Sequence, residues 1–443
     1  MSTFRAGYGK CDVTPSLGCF LQGNPTRREV EWIHDQLYAR CVAFENDGIA
    51  VLMYFDFCGI HQSLADDIRQ FVALSLNIPA TNVFVAATHT HTGPNIGNGA
   101  FPIDKAYVES LKHFAARAAR TAVNDLHPAQ MYFNNDVLPD MTFVRRFRMK
   151  DGSVLTNPGA GNPDILCPMS EADDTIRLLK ITREGAGDIV LVNFQCHADV
   201  VKQIEGKFAI SADYPGAVCK VLESAIPGSD CIYCNGTAGD LVQGNQMVVT
   251  EWNTRCWEHA LHMGRTIGGK ILSMYSQAKP IEAGPVRAIE KRIDIPLKEP
   301  TEEEIARSRQ IVDDYESGKF VLRKKAPGVM LDITKLYEAK ALLGLAKGAI
   351  TPNVCVSAFC VGDFAVAGIP GEPFCEIGKR IRAGSTFPAQ FTLGLTNGSQ
   401  GYYPMKDAFE VQGYEARTSR FKAGVGELLA DTALELIAKL AEL

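Results

Sequence analysis

Apolar positions in this chain fall into two rhythms that alternate for most of its length. Short apolar runs predict strands at Asn82–Thr88 and near 189–196, 229–235, 353–360, 363–369 and 390–396. The stretch "LYARCVAFENDGIAVLMYFDF" reads as two such runs joined at Asn46-Asp47-Gly48, a turn chemistry that closes a hairpin. Apolar residues recurring every three or four positions predict helices near 63–77, 104–126, 214–225, 251–276, 372–382 and 417–442. Ser63 and Asp66 resemble a capping box at the start of the first. Strands alternating with helices place the chain in the α/β class.

The pattern changes near 300–347. There "TEEEIARSRQIVDDYESG" and "LDITKLYEAKALLGLAKG" predict two amphipathic helices joined by a basic loop. This reads as a helical insertion covering one side of the core, with a lid or a subunit contact as alternatives. No linker-like stretch or internal repeat divides the chain, so residues 1–443 are expected to form one domain.

Composition narrows the partners. A net charge of -6 and a pI near 5.9 argue against nucleic acid, which calls for a basic surface. The longest purely apolar run, Ile49 to Phe55, falls far short of the roughly 20 residues that cross a bilayer. The N-terminal segment lacks a cationic stretch leading into an apolar one, so no secretory signal is expected. Thirteen cysteines without scaffold spacing suit a reducing cytosol, and a cytoplasmic protein is expected. Cys231 and Cys234 lie in one apolar run, three apart and so on opposite faces; they read as buried thiols rather than half of a metal site. The glycines of "GYGKCDVTPSLG" fit no phosphate-binding pattern and read as turn chemistry.

Candidate chemistry collects just past the predicted strands. His89 and His91 end the strand Asn82–Thr88, and His197 ends "IVLVNFQCHADV". Asn235, Gly239 and Asp240 follow "CIYC", Glu372 follows "FAVAGIPG", and Tyr402 follows "FTLGLTNGSQG". Ligands in α/β sheets bind beyond strand ends, where loops converge. Residues i and i+2 of a strand share a face, so His89 and His91 can enter one pocket, and imidazole is the commonest metal donor. Each residue also has a plainer reading: Glu372 would stabilise the start of the helix behind it, and Tyr402 would be a loop aromatic. No G-x-S-x-G elbow and no His-Glu-x-x-His helix is present, which argues against two other hydrolytic designs.

A series of these segments resembles, in order, the catalytic domain of the neutral (alkaline, non-lysosomal) ceramidase family. They are "AGYGKCDVTP", "ATHTHTGP", "FQCHADV", "ADYPG", "NGTAGD", "IPGEPFCEIGKRIR" and "GYYPMKDAFEVQGYEA", running from about Ala6 to Glu415. The resemblance implies two packed mixed β-sheets flanked by helices. It implies a catalytic zinc held by His89, His197, Glu372 and Tyr402, one per chain, with another divalent metal as the alternative. His91 would stand beside it as an acid or base, Tyr414 would face the substrate carbonyl, and Arg146, ahead of Arg145, would line the site. Asp240 or His91 would carry the proton to the leaving amine. Such a site would hydrolyse an amide, or an ester, of a small molecule; a lyase or isomerase on the same metal, or a non-catalytic binding protein, are the alternatives.

Two departures shift the substrate. The family carries a serine two positions beyond the Gly-Asp aspartate, where Val242 stands here. The chain ends at Leu443 without the length of the family's C-terminal β-domain. A smaller and more polar substrate than ceramide is therefore expected. The insertion and the apolar C-terminal helix would suit a homo-oligomer.

Overall fold

A computed structural model describes residues 4–24, 26–97 and 101–443. The larger of its two main sheets contains β1 (Arg5–Asp12), β2 (Tyr38–Glu45), β3 (Ile49–Phe55), β4 (Val83–Ala87), β5 (His127–Val137), β6 (Thr175–Arg183), β7 (Ile189–Phe194), β8 (Asp230–Asn235) and the short β9 (Lys279–Ile281). Their order is β8-β7-β6-β5-β1-β2-β3-β4, with β9 pairing on β5. The second sheet has the order β10 (Val286–Asp294), β11 (Asn353–Val361), β12 (Phe364–Gly368), β13 (Ala389–Leu393). Three pairs are parallel, β3–β4, β7–β8 and β12–β13; among the described residues the other pairings of the two sheets are antiparallel.

The strands have period 2, so each sheet buries two different sets of side chains. Val42, Phe44, Leu52, Tyr54 and Phe84 of the larger sheet meet Phe359, Phe364, Val366 and Phe391 of the smaller one in a shared core. The opposite faces carry helices. Helices α1 (Gln62–Leu76) and α2 (Lys105–Asn124) cover β1–β4, and α3 (Asp213–Ala225) and α4 (Trp257–Tyr275) cover β6–β8. Beyond the smaller sheet lie α7 (Cys375–Ala383) and α10 (Val425–Ala441). The fold is thus α/β, two packed mixed sheets between helical layers. No helix among the described residues is long and apolar enough to cross a membrane.

Several elements differ from expectation. "AGYGK" belongs to β1 rather than to a turn: Cβ atoms on Gly7 and Gly9 would lie 2.0 and 2.1 Å from backbone carbonyls of α2, so these glycines let helix and strand touch directly. The N-cap of α1 is His61, whose Nδ1 accepts from the Leu64 N–H, so the Ser63–Asp66 box does not form. Cys231 and Cys234 do face opposite cores, and all thirteen cysteines are free thiols. The insertion forms α5 (Glu302–Glu316), with a capping box of Thr301 and Glu304, and α6 (Gly328–Ala346). Only Ser308 of α5 is buried, so that helix lies on the surface. In contrast, α6 packs on α9 (Tyr414–Thr418), which follows the short α8 (Lys406–Val411), and Arg417 of α9 donates to Glu338 of α6.

Candidate metal centre

Each parallel strand pair sends two chain segments off the same edge, and the three pairs deliver the candidate residues in twos. Past β3 and β4 lie Cys58 and His89; past β7 and β8 lie His197 and the loop 236–240; past β12 and β13 lie Glu372 and Tyr402. The last two are side by side, because Glu372-Pro373 pairs in parallel with Tyr402-Tyr403. That pairing overturns the plain reading of Glu372. The helix behind it begins only at Cys375 with Phe374 as N-cap, so the carboxylate is free to turn inward.

His89 is not part of a strand, which ends at Ala87. It adopts a left-handed φ of +71°, held by its N–H to the Phe57 carbonyl at 2.9 Å. The shared pocket of His89 and His91 therefore arises from a turn, not from strand alternation. Thr90 and Thr92 are buried within that turn, and both hydroxyls donate to the Ser211 carbonyl. The loop after His197 is fixed by Asp213, whose Oδ2 accepts from the N–H groups of Val200 and Val201 at 3.0 Å each.

His89 Nδ1 lies 2.6 Å from the Cys58 carbonyl and His197 Nδ1 lies 2.9 Å from the Ala238 carbonyl. A carbonyl only accepts, so each Nδ1 carries the proton and each Nε2 offers a lone pair to the centre. Glu372 Oε2 stands 3.4 Å from both Nε2 atoms, is buried, and has no hydrogen-bond partner. Ligand atoms about 2.0–2.1 Å from a tetrahedral zinc stand about 3.3–3.4 Å apart. The two edges from Glu372 thus match such a site, and His89, His197 and Glu372, their donor atoms all within 4.8 Å of one another, form a group able to hold a metal ion. Tyr402 flanks them, its ring stacked on His197 at 6.5 Å.

The electrostatics favour a cation there. Burial, then Arg145 and His89, lowers His197 to about 4, which leaves a neutral donor. Burial opposes ionisation of Glu372, yet His89 and His197 hold it well below the usual carboxylate range. Burial likewise opposes charge on His89, but Cys58 and Glu372 raise it well above its ordinary value.

The remaining predicted residues separate. His91 lies in the same cavity with its Nε2 3.3 Å from His89 Nε2; its Nδ1 is buried without a hydrogen bond, 3.9 Å from Asp199. Burial, then His89 and His197, keeps it neutral. Tyr414 lines the cavity next to Tyr402, ring centres 5.6 Å apart. Arg146 does not reach the imidazoles: it lies over the Phe374 ring, while Arg145 places Nη1 3.3 Å from His197 Nε2. Arg145 also donates to Glu415 and to the Gly239 carbonyl, both at 2.7 Å. Asp240 faces away from the cavity, its Oδ1 accepting the Cys375 N–H at 2.8 Å at the start of α7. Adjacent residues diverge in extended chain, and a helix start draws a nearby carboxylate; these account for both corrections.

The cavity has a volume of about 640 Å³. One wall is the insertion, through Tyr337, Lys340 and Ala341 of α6, and another carries Arg420 and Gln400. None of these showed in the sequence, because no local pattern marks a helix that closes a distant site. Val242 is buried and is not part of the cavity wall.

No protein-family model and no curated protein matches the chain. Solved structures do, among them two ceramidases. A ceramidase complexed with C2 superposes with a TM-score of 0.72 at 14% identity, covering 99% of this chain and 75% of that one. Neutral ceramidase from Pseudomonas aeruginosa gives 0.71 at 17% identity over the same shares. The fold is neutral ceramidase-like.

Proposed function

We propose that this chain is a metal-dependent hydrolase that splits an amide bond of a small polar molecule. Its cation, best matched by zinc, would be held by His89, His197 and Glu372 with Tyr402 beside them. The observation that carries this reading is the triangle of buried donor atoms, two of its edges 3.4 Å, with Glu372 Oε2 left unpartnered. The likeness to two ceramidases supports amide cleavage. When bound, such a cation polarises a carbonyl and lowers the pKa of water from 15.7 toward about 7.

The chain's own residues supply the rest. Water adds to the amide carbon, the C–N bond breaks, and one proton must travel from the water to the leaving nitrogen. His91 is placed for that transfer, being neutral, inside the cavity and unpartnered at Nδ1. Asp240 is engaged at α7 and takes no part. Tyr414 stays protonated, because burial and then Tyr337 raise its phenol, and it donates to the carbonyl oxygen. Arg145 fixes the 236–240 loop through the Gly239 carbonyl, and that loop's Ala238 carbonyl orients His197.

Metal content by plasma mass spectrometry tests the reading. About one zinc per chain is expected, lost in the His89→Ala, His197→Ala double variant; a chelator should abolish amide cleavage and added zinc restore it. Absence of metal from the unaltered protein would overturn the proposal.

A further inference from the structure

The cavity wall carries an unmatched charge. Glu372 is the one carboxylate among the described lining residues, and it belongs to the donor cluster. Across the same cavity stand two cations, Arg420 and Lys340. Arg420 makes no ion pair among the described residues: its Nη2 donates to Gln400, and its Nε is buried with no partner. Its backbone is fixed, since the Arg420 carbonyl accepts the Lys298 N–H at 2.8 Å. Lys340 likewise has no acidic partner among the described residues; its ammonium rests over the Tyr315 ring of α5, 5.4 Å from the centroid. Both cations thus rest against neutral groups at the cavity wall, Arg420 half-buried and Lys340 exposed at its rim.

A half-buried guanidinium whose Nε meets no acceptor carries a desolvation cost, and a carboxylate offers it paired, charge-assisted hydrogen bonds. A neutral ligand would leave that cost standing. We propose that the substrate bears a carboxylate besides its amide, received by Arg420 with Lys340 at the rim. This deepens the hydrolase reading and rests on it for the position of the scissile bond. The substrate class is an N-acyl amino acid or a comparable acidic amide, and the insertion that supplies Lys340 sets this specificity. A neutral lipid amide lacks the group that the wall would bind.

The test uses binding and turnover together. Calorimetric titration would compare hexanoate with hexanamide on the unaltered protein, on Arg420→Gln, Lys340→Gln, and on His89→Ala, His197→Ala. Turnover would compare N-acetyl amino acids, with the carboxylate at increasing distance from the amide, against their carboxamides. The expected result is a carboxylate preference of at least about tenfold, as one charge-assisted pair supplies. It should disappear in the Arg420/Lys340 variant through a raised KM, while zinc content stays unchanged. Equal binding of hexanoate and hexanamide would sink the inference. So would a hexanoate preference kept in the Arg420/Lys340 variant but lost in the histidine variant, since the carboxylate would then be binding the metal. If the preference follows Arg420 and Lys340 but no amide is cleaved, the anion site stands and the hydrolase reading fails.

Discussion

Gly23 illustrates how closely the residues around His91 are fitted. It has a φ of +89°, and a Cβ there would lie 2.5 Å from His91 Nδ1. Gly23→Ala should displace the imidazole without touching the metal donors. We expect about one zinc per chain to remain and amide turnover to fall about 10- to 100-fold, the effect of a displaced catalytic group; an unchanged kcat would remove His91 from proton transfer. At this scale the sequence was informative where chemistry is intrinsic to a side chain. His89, His197, Glu372 and Tyr402 were legible as strand-end polar groups, and the structure brings them together. Arg145 and Asp240 were not, because which way a side chain turns depends on distant partners. Glu415 draws Arg145 from 270 positions away, and the start of α7 draws Asp240 from 135.

Among the elements, apolar strands and most amphipathic helices fell near their predicted places, although the helix expected at 417–442 divides into α9 and α10 and that at 251–276 begins at Trp257. The strands that carry charge were missed. β10, "VRAIEKRID", and β6, "TIRLLKITR", mix charged and apolar positions and offered no clean run, although each pairs along nine residues. The insertion was visible as helices, but its role came from packing. Asp332 at the second turn of α6 accepts from the Arg323 N–H, Nε and Nη2, at 2.8, 2.9 and 2.8 Å, and so ties down the basic loop. Asp332→Ala should release that loop. Trypsin cleavage at Arg323, Lys324 and Lys325 is expected to quicken several-fold, since local opening governs cutting of an exposed segment. KM should rise as α6 loosens over the cavity. Unchanged proteolysis would show that the loop is held by other contacts.

For the whole molecule, the shared face of the two sheets is the decisive contact. Phe359 of the smaller sheet is fully buried, with ring centres 5.6 and 4.7 Å from Phe44 and Phe84 of the larger. We expect Phe359→Ala to destabilise the fold by about 3–5 kcal/mol. Scanning calorimetry should show one shifted transition rather than two, because both sheets lose the same core. Separate transitions would divide the chain into two folding units. The sequence by itself determined the α/β alternation, the donor types and their position at strand ends, since periodicity and side-chain chemistry are local properties. Only the tertiary structure decided that three parallel strand pairs bring their following loops to one donor cluster, that Arg145 rather than Arg146 stands beside His197, and that α6 and Arg420 wall the cavity. Those outcomes depend on pairing and packing between residues far apart in the chain, where no short-range pattern records which surfaces will meet.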